Sequence, residues 1–216
     1  MKIALIGATG FVGSHILKEL IARNHQVTAI ARHVDALKDV DHVLAVQMDV
    51  TAEGRLASAL KGNQIVISAY NAGWDNPEIY RDYTEGARHI LAAVKQTEAE
   101  RFIVIGGAGS LLDATDRRLV DAPEFPDAIK PGALAAADFL EVLMRETDLR
   151  WTFFSPAVEM NASDPGIRTG TYRTGTDHPV VDHHGRSKLS VEDLAVAIAD
   201  EIEEPKFINR RFTAAY

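Results

Sequence analysis

The chain has no cysteine among its 216 residues. That excludes a disulfide framework, a thiol nucleophile and a thiolate metal site. No apolar run is long enough to span a bilayer, and no charged segment followed by an apolar one stands at the start. Those absences predict a cytoplasmic protein without a membrane partner. Basic residues are outnumbered, 23 Lys and Arg against 31 Asp and Glu, for a net charge of −8. Nucleic acid is disfavoured as a partner, because phosphate binding relies on a basic face. His183 and His184 are adjacent and project in different directions. With His178 they make no helical H-x-x-x-H pattern, so no metal site is expected.

What is present is a core-forming hydrophobic fraction of 46% and an ordered alternation of apolar runs and helical patterns. Ile3 to Ile6 read as a strand buried on both faces. Gly7, Gly10 and Gly13 follow in a G-x-x-G-x-x-G turn, and Ile16, Leu17, Leu20 and Ile21 then recur at helical spacing. A strand, glycine turn and helix of this kind lets the backbone approach a pyrophosphate at the helix start. Gly7, Thr9, Gly10, Phe11 and Val12 are therefore candidate cofactor-binding residues. Val27 to Ile30 completes the βαβ unit. The architecture this predicts is α/β: a doubly wound parallel sheet of the Rossmann NAD(P)-binding fold. One domain over 1–216 is expected, with a small substrate-side excursion within 157–189.

Strand two ends in Ala31-Arg32-His33, with no carboxylate before Asp35. An NAD site commonly places an acid there for the ribose 2′-hydroxyl. Arg32 instead suits a 2′-phosphate, which favours NADP(H) over NAD(H). Val43 to Met48 is expected as strand three and Gln64 to Ser68 as strand four. Ser68, Ala69 and Tyr70 then lie at the crevice end of strand four, where small residues admit the nicotinamide ribose. Tyr70 and Trp74 offer aromatic surface on the loop before Pro77. Helices are expected over Glu78 to Thr97 and Ala133 to Glu146, with strands at Phe102 to Ile105 and Trp151 to Phe154. Short strands are expected near Tyr172 and at Val180-Val181, and a capped helix begins at Ser190.

The Gly-Ala-Thr-Gly-Phe-Val-Gly segment resembles the opening of the atypical short-chain dehydrogenase/reductase superfamily. Within it the chain is most similar to the NADH-flavin reductase group, relatives of biliverdin/flavin reductases and NmrA-like proteins. The resemblance extends through Arg168–Tyr172 to Arg211-Phe212-Thr213. It implies that Asp49 and Val50 contact adenine, that Gly107 borders the cofactor, and that Pro156 lies against the nicotinamide. It also implies a catalytic role for Ser110, the one hydroxyl in Gly106 to Ser110.

Many members of the superfamily use a Tyr-x-x-x-Lys pair to move a proton at the substrate hydroxyl. None of Tyr70, Tyr80, Tyr83, Tyr172 and Tyr216 has a lysine four residues on. Where the pair is expected, the chain reads Asp127 to Leu134, with Lys130 alone. Hydride transfer to a flavin needs no such pair, because the second proton can come from solvent. The expected activity is thus hydride transfer from NADPH to FMN, riboflavin or another planar, quinone-like acceptor. Two alternatives stand: an NmrA-like NADP(H) sensor without turnover, and an enzyme using Lys130 or His184 as proton donor. Arg168, Tyr172 and Arg173 could grip an acceptor's carboxylate or phosphate, or serve as turn-stabilising ion pairs. A homodimer is compatible with the sequence.

Overall fold

In the computed structural model, which describes every residue except Glu53, the apolar runs form one sheet. Its strands are Lys2–Ile6 (β1), Gln26–Ala31 (β2), Val43–Gln47 (β3), Ile65–Ser68 (β4), Arg101–Ile105 (β5), Trp151–Ser155 (β6), Arg173–Gly175 (β7) and Arg210–Ala215 (β8). The helices between them are Phe11–Ala22 (α1), Arg55–Leu60 (α2), Ile79–Val94 (α3), Lys130–Leu143 (α4) and Val191–Glu203 (α5). The strand order is β3-β2-β1-β4-β5-β6-β8-β7, parallel throughout except for β7 against β8. The order reverses direction between β1 and β4, which opens a crevice at the strands' carboxyl ends.

Alternation along each strand divides the core between two helical layers. Ile3 and Leu5 of β1, with Phe154 of β6 and Phe212 of β8, face α1 and α5. Ala4, Ile6 and Phe153 face the layer of α2, α3 and α4. Both faces are covered, which is why these strands read as continuous apolar runs. Helix α4 starts at Lys130, earlier than the Ala133 expected, with Pro131 in its first turn. That position needs no N–H donor, so proline initiates the helix there instead of breaking it. Helix α5 begins as expected, the Ser190 hydroxyl accepting from the Asp193 amide at 3.0 Å.

One strand has no counterpart among those expected, and the excursion departs from its expected strands. The C-terminal segment is an interior strand, β8, seated between β6 and β7. Of the excursion, only Arg173–Gly175 is a strand, and Val180-Val181 is not. Arg173 spends its guanidinium on the Val181 and Tyr216 carbonyls, so that side-chain contacts hold this stretch where a ladder was expected.

The lower end of the sheet is fastened by a buried ion pair. Arg101 and Glu201 meet at 2.6 Å, their side chains 5% and 2% exposed. Arg101 also donates to the Glu201 carbonyl and to Thr152 Oγ1, each at 2.7 Å. Glu201 in turn accepts from the Lys206 and Phe207 amides. The pair therefore joins β5, β6, α5 and the turn into β8.

Candidate cofactor and active site

The glycine turn is set by packing against strands on either side. The Gly7 amide donates to the Ile30 carbonyl at 2.8 Å, and Gly10 N–H closes the turn onto the Gly7 carbonyl at 3.0 Å. Gly7 adopts φ +79°, and a Cβ there would lie 2.5 Å from the Ala69 carbonyl oxygen. A Cβ on Gly13 would lie 2.1 Å from the Gly7 carbonyl oxygen. The turn, β4 and α1 thus touch through backbone, and no side chain fits between them. No side chain caps α1, and its first turn carries no acid. Its first N–H groups and its dipole are consequently open to an anion at the exposed Thr9-Gly10. These residues fit a dinucleotide pyrophosphate.

The adenosine side is assembled from the next two strands. Arg32, exposed beyond β2, makes no ion pair among the described residues. Asp49 lies near enough for Arg32 to act on its carboxyl. Asp49 Oδ1 accepts from the Thr51 amide at 2.9 Å and from its hydroxyl at 2.7 Å. Those two bonds, with Arg32 adding to them, hold the carboxyl below the usual aspartate range. Asp49 therefore does cap its turn, and among the described residues Oδ2 accepts no hydrogen bond, which suits an exocyclic amine. Val50 beside it is buried.

On the nicotinamide side, Ser68 is buried and Ala69 half-buried at the end of β4. Tyr70 needs a correction. Its hydroxyl donates to the Asp82 carbonyl at 3.0 Å, its ring stacks on Tyr83, and Gly86 makes room for it. A Cβ on Gly86 would lie 2.5 Å from that ring. The side chain belongs to α3, and only the Tyr70 backbone is left to border a cofactor. Burial, with Asp49 and Asp82 adding to it, pushes the phenol up to about 12. The unfolded phenol titrates near 10. Stability from this group is thus complete below pH 10 and lost as pH rises from 10 towards 12. An alkaline titration followed by tyrosinate absorbance is expected to show this phenol ionising only as the fold opens.

Ser110 also needs correcting. It is 1% exposed, in the turn Ala108–Ser110 after β5. Its hydroxyl donates to the Gly107 carbonyl at 2.8 Å and shares a 2.8 Å hydrogen bond with Ser155 Oγ. Its carbonyl accepts from the buried guanidinium of Arg211, which also pairs with Asp177. Ser110 shapes the wall at Gly107, with its hydroxyl engaged in internal hydrogen bonds. Pro156 follows Ser155 directly and is buried at the sheet's carboxyl edge. Arg211 was not singled out as a site residue. The sequence marks it only weakly, as the second of two adjacent arginines ahead of Phe212.

The excursion residues lie elsewhere. Arg168 pairs with Glu19 in the third turn of α1 at 3.0 Å, and the Tyr172 hydroxyl bonds Asp200 in the third turn of α5. Asp193 accepts from the Thr169 and Gly170 amides and from the Tyr216 hydroxyl. The segment thus descends along α5, away from the helix starts that ring the crevice. Arg168, Tyr172 and Arg173 serve as fasteners. Lys130 is half-buried at the first position of α4, and His184 is exposed with its ring 3.8 Å from that of His183, where divergent side chains were expected. Among the described residues no group of three metal-ligating side chains converges, and no helix is long and apolar enough to cross a membrane.

A Rossmann-like sheet with a glycine turn at its switch point defines an oxidoreductase-like NAD(P)-binding protein. The family described as NAD(P)H-binding matches residues 7–205, and the chain belongs to that family. It is 37% identical over 218 residues to the uncharacterized protein YwnB of Bacillus subtilis (strain 168), covering 99% of this chain and 97% of that one. Among solved structures, a provisionally named epimerase from Bacteroides thetaiotaomicron superposes with a TM-score of 0.90 at 43% identity, covering 100% of this chain and 96% of that one. A provisionally named NADH-flavin reductase from Streptococcus pneumoniae TIGR4 superposes with a TM-score of 0.87 at 34% identity, covering 100% and 99% of the two chains.

Proposed function

We propose that this protein is an NADPH-dependent reductase passing hydride to a flavin or another planar, quinone-like acceptor. The observation that carries the reading is an asymmetry of the crevice. Its cofactor side offers the open start of α1 and, among the described residues, an arginine without an ion-pair partner and an Asp49 oxygen that accepts no hydrogen bond. On the acceptor side, the Tyr70 and Ser110 hydroxyls are both consumed by internal hydrogen bonds. A site so made suits a reaction that needs proximity and orientation but no side-chain proton donor. The name of the Streptococcus pneumoniae relative points the same way.

NADPH would supply two electrons and one hydrogen as hydride, and an oxidised flavin accepting it at N5 would take its second proton from water. The chain's own part is to bind and orient. Gly7, Thr9, Gly10, Phe11 and Val12 would hold the pyrophosphate on backbone N–H groups. Arg32 would pair with the 2′-phosphate, Asp49 and Val50 would meet the adenine, and Ser68, Ala69, Gly107 and Pro156 would border the nicotinamide half.

Calorimetry with NADPH and NADH, followed by turnover with FMN or riboflavin, tests this. Arg32→Ala is expected to weaken NADPH about ten- to a hundredfold, the scale of a charged hydrogen bond. NADH binding should be unchanged in the same variant. The inward Ser110 hydroxyl also favours a second reading, an NmrA-like sensor that binds NADP(H) without turnover. Tight binding with no oxidation of NADPH by any flavin or quinone would decide for the sensor.

A further inference from the structure

We propose that Trp74 is the surface on which the planar acceptor stacks, an inference that rests on the reductase reading above. Three large apolar side chains stand exposed on segments at the crevice rim. They are Trp74 after β4, Ile129 before α4 and Val158 after β6, at 57%, 42% and 49% exposure. Trp74 is the one aromatic among them, and its position is fixed. The Gly73 amide donates to Asn71 Oδ1 at 2.7 Å, and the Asn76 side chain bonds Asp82 Oδ2 and the Glu78 amide, each at 2.9 Å. These bonds lock the loop on both sides of the indole.

One edge of the ring rests on α4. A Cβ on Gly132 would lie 2.8 Å from Trp74 Cζ3, so the glycine is what lets the ring sit there. The rest of the indole faces outward, and its N–H makes no hydrogen bond among the described residues. A pre-positioned flat ring with a free donor matches an isoalloxazine, which presents a π-face and carbonyl oxygens on its rim. The Trp74 loop leaves the carboxyl end of β4, and α4 is reached from the carboxyl end of β5. Trp74 therefore stands at the same carboxyl edge of the sheet as the proposed nicotinamide site.

The test is calorimetric titration of riboflavin into protein saturated with NADP+. Trp74→Ala is expected to weaken riboflavin about tenfold, the scale of one lost stacking interaction. Trp74→Phe should keep affinity within about threefold, because a phenyl ring still stacks. Neither variant should change the affinity for NADP+. Gly132→Ala should displace the indole, shift tryptophan emission and weaken riboflavin in parallel, since the other tryptophan, Trp151, is buried in β6. If wild-type protein binds riboflavin and Trp74→Ala binds it equally well, the stacking role is overturned and the reductase reading stands. If NADP+-loaded wild-type protein binds no flavin at all, the flavin reading itself fails and takes this inference with it.

Discussion

Replacing Gly13 by alanine should abolish useful NAD(P)H binding and destabilise the fold at once. The added methyl would sit 2.1 Å from the Gly7 carbonyl oxygen and 2.9 Å from its carbon, and both are backbone atoms. No rotamer change relieves a backbone clash, so α1 must move outward from the turn. Overpacking of this kind costs about 3 kcal/mol. For a chain of this size that corresponds to a melting temperature about 6–12 °C lower. Shifting the helix start by about 1 Å moves the N–H groups off the pyrophosphate, for which a loss of roughly a hundredfold is the relevant scale. Gly62→Ala is the control. Gly62, unlike Gly13, has positive φ, but nothing lies within 4 Å of its added Cβ. It should cost only about 1–2 kcal/mol of backbone strain and leave NAD(P)H binding intact. Equal losses of affinity in the two variants would show that the turn's close contact is not what positions the cofactor.

The second large effect is expected far from the crevice. Glu201→Ala leaves the Arg101 guanidinium buried without its counter-charge and orphans the Lys206 and Phe207 amides. Removing one partner of a buried pair costs about 3–5 kcal/mol, because the remaining charge is stranded. The melting temperature should fall by about 6–20 °C. Arg101→Met combined with Glu201→Leu should recover most of that loss, since an apolar pair of similar volume needs no compensation. Denaturant unfolding of the two variants measures both terms. A double variant no more stable than Glu201→Ala would mean that the amide contacts, and not the ion pair, hold this corner together.

Much of the sheet was legible because strands covered on both faces are written as apolar runs. Ile3 to Ile6, Ile65 to Ile67 and Phe102 to Ile105 could be little else. The phosphate turn was legible for a related reason: its glycines answer to contacts within one βαβ unit. What escaped the sequence depends on partners distant along the chain. The fate of the Ser110 hydroxyl is decided by Ser155, and that of the Tyr70 ring by Gly86. Arg168 reads in the sequence either as an anion grip or as an ion-pair fastener, and Glu19, 149 positions away, decides for the fastener. Strand β8 was obscured by Arg210-Arg211, since two adjacent charges do not suggest an interior strand. Arg211 is tolerated there because the Ser110 carbonyl and Asp177 receive its guanidinium.

The place of β8 also bears on how the chain reaches its native state during synthesis. Of the eight strands it is the last to leave the ribosome, yet it lies inside the sheet. Until it arrives, β6 is an unpaired edge whose residues Trp151 to Phe154 all become buried in the finished fold. The three-residue β7 has nothing to pair with in the meantime. A nascent chain arrested before Arg210 therefore displays an aromatic, uncharged strand edge, the kind that recruits other chains or a chaperone. Slow translation over residues 156–209 would prolong that exposure, and rapid delivery of Arg210–Ala215 would end it.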